Sequence, residues 1–335
     1  MRMQLNDAMA VNEALDWSAP EVVVARARDG DRRAISAVVT ELEMASPRMR
    51  ALIPVLTPGL GRALVVGFTG PPGAGKSTLV NAYVAALRAG GRTVGIIAVD
   101  PSSPISGGSI LGDRLRMTAS LADDGVFMRS LAAGGHLGGL CPAAVRVIDA
   151  LDGVGRDVVV VETVGTGQNE MDVAEVTDVR VVLSATGLGD DIQAMKSGLL
   201  EIADLLVVNK SDRPGAEEAV HQLTGALHLR TTTPVPRVMK TCAIDGQGVA
   251  AIAAEIARVG ALKLARPVAE RRARRARFLI ARAAADLIAA QIRDDRAGRL
   301  DTVTEAVLAG EMTATEAAIR MLAPLSRPAS VDFES

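Results

Sequence analysis

An apolar run, Ala63–Phe68, is followed by Gly70-Pro71-Pro72-Gly73-Ala74-Gly75-Lys76-Ser77 and then by a stretch of helical character from Thr78 to Arg88. No other feature narrows the possible folds as sharply. The eight residues match G-x-x-x-x-G-K-[ST] in full, and they stand between a strand and a helix, the context in which that pattern cradles phosphate. Its glycines let the main chain close around an anion with N–H groups pointing inward. The start of the next helix adds the positive end of its dipole. Lys76 is then placed to reach the β- and γ-phosphates of a nucleoside triphosphate, and the Ser77 hydroxyl to ligate magnesium. The expected nucleotide contacts are Gly70, Pro71, Pro72, Gly73, Ala74, Gly75, Lys76, Ser77 and Thr78.

Such a loop needs a sheet behind it. Strands are expected at 63–68, 93–99, 157–161, 179–183, 205–208 and 235–239. These runs are continuously apolar rather than alternating, as strands covered on both faces are. Helical stretches between them imply an α/β fold with a doubly wound, mainly parallel sheet. In that architecture ligands sit beyond the carboxyl ends of the strands, and each motif here begins just after one of these runs.

Asn209-Lys210-Ser211-Asp212 follows the run at 205–208 and has the N-K-x-D form that reads guanine. A carboxylate only accepts hydrogen bonds, and guanine offers two donors on one edge, N1–H and the 2-amino group. Adenine offers an acceptor at N1 and no 2-amino group; a mismatch of this kind discriminates by ~10⁴-fold. Asn209, Lys210 and Asp212 are therefore expected at the base. Thr241-Cys242-Ala243 follows the run at 235–239, where a backbone N–H can meet guanine O6, so Cys242 and Ala243 join the set; a plain loop is the alternative.

Magnesium takes oxygen ligands, some of them from substrate phosphates. Asp100, Asp113 and Glu162 are the acidic candidates beside Ser77, the first and last at strand ends and Asp113 in the Gly-rich loop 106–113. Capping a helix or turn is the competing role for both aspartates. Glu162 opens Glu162-Thr163-Val164-Gly165, where most GTPases carry Asp.

The rest of the chain reads as additions to this domain. Residues 1–55 are helical in pattern, broken at Asp29-Gly30-Asp31, with Pro54, Pro58 and Gly59 marking a boundary; 56–265 hold the nucleotide domain; 266–335 are again helical. Seven arginines crowd 266–282, read either as a solvated helix face or as a partner surface. A net charge of -2 and 2% aromatic residues give no support for nucleic-acid binding. No signal peptide or membrane-length apolar run is present, and two distant cysteines suit a reducing compartment, so a cytoplasmic protein is expected.

With these residues in view, the chain resembles the MeaB/ArgK family of P-loop GTPases, which includes the human methylmalonic aciduria type A protein. The likeness rests on Val99-Asp100-Pro101-Ser102-Ser103, on Ser106-Gly107-Gly108-Ser109-Ile110-Leu111-Gly112-Asp113-Arg114, on Val161 to Gly165 with Gly167-Gln168, and on Gly189-Asp190-Asp191-Ile192-Gln193 with Lys196. It covers about residues 20 to 265. The resemblance implies a SIMIBI-type G domain that binds GTP/GDP with Mg2+ and hydrolyses GTP. It implies a chaperone for an adenosylcobalamin-dependent acyl-CoA mutase that gates loading by an adenosyltransferase and protects or reactivates the mutase. It implies a homodimer held by the C-terminal helices, and mobile switches near 100–118, 163–176 and 184–200. In the family's pattern Asp100, Asp113 and Glu162 surround magnesium.

The chain departs from the commoner pattern at Arg114-Leu115, Asn169, Lys196-Ser197 and Pro104-Ile105, mostly in switches that would touch the client. The client is thus left open among methylmalonyl-, isobutyryl- and 2-hydroxyisobutyryl-CoA mutases. In Ras-like enzymes a Gln directly after the D-x-x-G glycine orients the attacking water. Here Thr166 follows Gly165, and Gln168 comes two residues later. Lys76, Glu162, Gln168 and Lys196 are the expected catalytic set, and hydrolysis is expected to be slow until a partner orders the loops.

Two other classes compete. A GTP-dependent metal-insertion chaperone would favour a His- or Cys-rich tract, and the histidines are only His136, His221 and His228. A small-molecule kinase would not need the guanine tetrapeptide.

Overall fold

The computed structural model describes residues 15–100, 123–132, 142–163, 169–186, 198–228, 235–293 and 298–322. Seven strands form one sheet: β1 (Leu64–Thr69), β2 (Val94–Asp100), β3 (Val126–Ala132), β4 (Val158–Thr163), β5 (Val179–Ala185), β6 (Leu205–Asn209) and β7 (Arg237–Lys240). Their order is β3-β2-β4-β1-β5-β6-β7 and every pairing is parallel. The expected doubly wound α/β fold is the observed one. β1, β4 and β6 are buried from end to end, which is why they read as unbroken apolar runs.

β3 was missed from sequence. It is an edge strand, only partly buried, and it mixes Arg129 and Ser130 into its apolar residues. Such a strand needs no continuous apolar run. At the other edge, β7 begins two residues later than expected, at Arg237.

Among the described residues, three helices precede the sheet: α1 (Pro20–Arg28), α2 (Arg32–Glu43) and α3 (Met49–Leu56). Asp31 caps α2 by accepting from the N–H groups of Arg33 and Ala34. Pro54 lies inside α3 rather than at a boundary; the break comes in the 3-10 turn Thr57–Gly59. One sheet face is covered by α4 (Lys76–Ala89) and α9 (Val249–Leu264), whose Leu79, Val80, Tyr83, Ile252 and Ile256 pack on Val66, Phe68, Ile96 and Val181. The opposite face carries α5 (Pro142–Gly153), α6 (Asn169–Val176) and α8 (Ala216–His228), with the single turn α7 (Leu199–Ile202). On this face Gly67 of β1 lets α6 sit close: a Cβ there would run into Val173 and crowd Thr177.

The chain divides into compact units at 1–275 and 276–335. A long helix, α10 (Val268–Arg293), spans the division, followed by α11 (Arg299–Leu308) and α12 (Ala314–Leu322). Within the second unit Val303, Ala317 and Met321 form a small core. Thr313 and Glu316 cap α12 reciprocally: the Glu316 N–H donates to the Thr313 hydroxyl, and the Thr313 N–H to the Glu316 carboxylate. Among the described residues no helix is long and apolar enough to cross a membrane.

Candidate functional site

The phosphate loop leaves β1 at Thr69 and must turn sharply beneath β5. Gly70 has φ 140°, and a Cβ there would collide with the Leu183 carbonyl. Gly75 has φ 85°, and a Cβ there would overlap the Asn209 amide. Only glycine meets both demands at either position. α4 starts at Lys76, two residues earlier than expected, so its N-terminus opens directly from the loop.

Lys76 is 6% exposed, and its ammonium donates to the carbonyls of Gly70 at 2.8 Å and Pro71 at 2.9 Å. The charge therefore lies across the loop. The Ser77 hydroxyl donates to Glu162 Oε1 at 2.6 Å. Glu162 is buried near the end of β4, and the carboxylate reaches the first turn of α4. One residue on, the Thr163 hydroxyl donates to that of Thr69 at 3.2 Å, tying the fully buried ends of β4 and β1 together. A hydroxyl and a carboxylate this close make a hard oxygen pair, the donor chemistry that suits magnesium.

The guanine-reading tetrapeptide follows β6. The Asn209 side chain joins two loops: its amide donates to the Ala74 carbonyl at 2.9 Å, and its oxygen accepts from the Ala243 N–H at 3.2 Å. Lys210 takes φ 58°, a left-handed turn rare for a residue with a side chain, and Thr186 donates to its carbonyl at 3.2 Å. Asp212 is exposed beyond that turn. Cys242 is buried, with its thiol 3.2 Å from the Asp245 carboxylate. The Asp245 N–H favours the thiolate, but the carboxylate of Asp245, burial and the Asp212 carboxylate outweigh it and raise the thiol above its ordinary value.

The O6 expectation meets a constraint. The N–H groups of Thr241, Cys242 and Ala243 donate to Val208 O, Gln247 O and Asn209 Oδ1 respectively. A guanine O6 would share the Ala243 N–H with Asn209.

The fold thus gathers Lys76, Ser77 and Glu162 at one place, and Asn209, Cys242 and Ala243 beside them. Asp113, Gln168 and Lys196 lie outside the described residues, as do the side chain of Asp100 and the arginines Arg114 and Arg116. The reading of the 266–282 arginines as a solvated face is corrected for Arg271 and Arg275, which are 7% and 3% exposed and bond to carbonyls at the other end of the sheet; Arg266 and Arg277 are exposed. The signal was available in their spacing of four, which puts both on one face of a helix. Asp178, which pairs with them, carried no motif and was not singled out.

Comparison with known proteins agrees with this geometry. The family model described as "Methylmalonyl Co-A mutase-associated GTPase MeaB" matches residues 32–297. A putative GTPase of Pyrococcus horikoshii is 45% identical over 232 residues, covering 68% of this chain and 73% of the relative. The GTPase ArgK of Escherichia coli is 40% identical over 236 residues, covering 68% and 71%. The crystal structure of a LAO/AO transport system kinase superposes with a TM-score of 0.73 at 26% identity, covering 93% of this chain and 99% of that one. With its phosphate loop, guanine tetrapeptide and parallel sheet in place, the chain belongs to the MeaB family of P-loop GTPases, and GTP hydrolysis is its reaction.

Proposed function

We propose that this GTPase serves an adenosylcobalamin-dependent acyl-CoA mutase, using the nucleotide to gate cofactor loading and to protect or reactivate its client. The reading is supported by the mutase-associated description of the family that matches most of the chain. At the site, the Ser77–Glu162 hydrogen bond and the Lys76 ammonium laid across the phosphate loop support the nucleotide-binding half of the reading.

In this reading the backbone of Gly70–Thr78 holds the phosphates. Lys76 exchanges its two carbonyl partners for β- and γ-phosphate oxygens, a stronger charge-assisted bond. Ser77 and Glu162, with Asp100 and Asp113, would hold magnesium, whose charge would there stabilise the transferring phosphoryl group. Asp212 accepts from the guanine N1–H and 2-amino group. Gln168 and Lys196 are the residues that a bound client would bring to the attacking water and the γ-phosphate. Gln168 stands out of the usual register for positioning the attacking water, which leaves room for a partner to raise the rate by ~10³-fold or more.

Single-turnover GTP hydrolysis, measured alone and with each of the three candidate acyl-CoA mutases, tests the proposal. Stimulation by one mutase and not the others identifies the client. A fast rate alone that no mutase changes removes the chaperone reading.

A second copy of the chain is the proposed partner of the C-terminal helices. Ile280, Leu287, Leu308 and Ile319 are 69%, 71%, 82% and 62% exposed, more apolar surface than a small helical unit leaves bare. Light scattering should report a dimer for the whole chain and a monomer for one ending at Arg275. Ending it at Ala265 would be a poorer test, since that also removes the buried arginines of the first unit. A dimer that survives truncation at Arg275 refutes the assignment.

A further inference from the structure

α6 stands between two sites. Its first residue, Asn169, lies six positions after Thr163, where β4 ends beside the phosphate loop. Its last turn is gripped by the first two turns of α10. Arg275 Nε donates to the Val176 carbonyl at 2.9 Å, and Arg274 donates to the Thr177 carbonyl at 2.5 Å. Arg275 also donates to Asp178 Oδ2 at 3.3 Å, and Arg271 lies 3.5 Å from the same oxygen. Arg271 further donates to the Gly61 carbonyl just before β1.

The grip has a physical logic. The last carbonyls of a helix have no partner within it and carry the negative end of the dipole. Arginine satisfies both needs at once. As stability devices, though, buried ion pairs are weak, because desolvation offsets much of the attraction. Among the described residues Arg274 Nε is also buried without a hydrogen-bond partner. A grip built for stability alone would be better made of apolar contacts. Along its length α6 is pressed on β1 at Gly67 through Val173 and Thr177, with little room to flex sideways. This packing is the route by which a shift at one end of α6 would reach the other.

We propose that Arg274 and Arg275 are positioning residues for GTP hydrolysis, acting through α6 on the strand end that carries Glu162. The inference rests on the reading of Glu162 as part of the site. Linkage adds a binding counterpart: a grip that favours the GTP-bound over the GDP-bound state is itself held more tightly with GTP than with GDP.

The test uses the full chain with Glu162→Gln as the reference. Single-turnover hydrolysis and the affinity for a fluorescent GDP are measured for Arg275→Gln and Arg275→Lys. Arg275→Gln should slow hydrolysis ~5- to 30-fold, the usual range for coupling between sites, while GDP affinity changes less than about twofold. Arg275→Lys, which keeps the charge and one donor, should recover part of the rate. Hydrogen exchange on the unmodified chain supplies the independent measure: protection at 169–178 and 268–275 should differ between GDP and a non-hydrolysable GTP analogue, and decide the matter if the variants do not fold. Unchanged hydrolysis in Arg275→Gln, an equal loss of rate and GDP affinity, or exchange at 268–275 that ignores the nucleotide would each overturn the proposal. If Glu162→Gln hydrolyses GTP normally, the reading of Glu162 fails instead, and the exchange result still judges the coupling.

Discussion

The two ends of the sheet are built from different chemistry. At the carboxyl ends the chain uses glycines, hydroxyls, an amide, the Lys76 ammonium and one buried carboxylate, Glu162. At the amino ends it uses carboxylates. Asp152 accepts from the N–H groups of Gly61, Arg62 and Ala63; Asp157 accepts from Thr93, Asp178 from Val65 and Asp204 from Arg180. Each of these aspartates meets a strand as it enters the sheet, where N–H groups would otherwise lack acceptors. Arginines answer several of them: Arg92 at Asp157, Arg180 at Asp204, Arg271 and Arg275 at Asp178. The Asp204 carboxyl is held low although burial pushes it up, because Arg180 and Lys263 outweigh that cost. One end is thus fastened where β1, β2 and β5 enter the sheet, while the other keeps the groups that a nucleotide would engage. Substitutions at the two ends should therefore fail differently.

The largest effect belongs to the nucleotide end. Asp212→Asn should cost ~10⁴-fold in preference for guanine and shift it toward xanthine, whose C2 carbonyl accepts from an amide. Asp212 is exposed and fastens no strand, so the melting temperature without nucleotide should stay within about 1 °C on the scale of surface substitutions. Calorimetry with GTP and XTP, set beside thermal melts, checks both halves. Equal affinity of the unmodified chain for ATP and GTP would sink the guanine assignment.

The opposite end should show the reverse pattern. Asp178→Ala leaves Arg271 and Arg275 without their shared carboxylate and Val65 N–H without an acceptor. Breaking a buried pair in this way costs roughly 3–5 kcal/mol. Chemical denaturation reads the loss directly. A destabilisation under about 1 kcal/mol would mean that the amino end is not the fastening point the comparison makes it.

The two ends were also unequally legible in sequence. Phosphate and guanine chemistry demand particular residue types at fixed spacing, so Gly70 to Ser77 and Asn209 to Asp212 could be read before any fold was known. Strands β1, β4 and β6 were legible for a related reason: burial on both faces leaves nothing but apolar residues. The carboxylates at the strand entrances were not. Asp152 and Asp178 lie far in sequence from most of the chain they hold, 89 to 97 residues from partners such as Ala63 and Arg275. An aspartate in a loop has many uses, and nothing local tells them apart. Arg271 and Arg275 differ: their spacing of four was a local signal, but nothing near them in sequence names Gly61, Val176 or Asp178 as their partners. β3 escaped because an edge strand can afford Arg129 and Ser130 in its middle.

The smallest predicted effect concerns Asp149, on α5 near the same arginines. Burial raises its carboxyl to about 6; Arg275 and Arg272 pull it back and Asp152 pushes it further. The raised value means the folded chain holds this proton more tightly than the unfolded one, whose ordinary value is 3.8. The stabilisation from proton binding is complete below the unfolded value and disappears as pH climbs through about 6. Asp149 therefore makes stability fall between about pH 4 and 6 and adds no slope above pH 7. The other shifted carboxyls of the amino end, Asp157 and Asp204, are lowered, so their slopes have the opposite sign and lie below pH 4. The interval from pH 5 to 7 then isolates Asp149. Its side chain is 32% exposed, and water screens part of the penalty. A gain of about 1 kcal/mol in Asp149→Asn at pH 7.5 is the expected size after that discount. The gain should shrink as pH falls through about 6 and vanish below about pH 3.8, where folded and unfolded chains both hold the proton. Melts of the variant and the unmodified chain in parallel cancel every other titrating group. A variant less stable than its parent at pH 7.5 would show that attraction to Arg275 outweighs burial, and would make Asp149 a second counter-charge for that arginine.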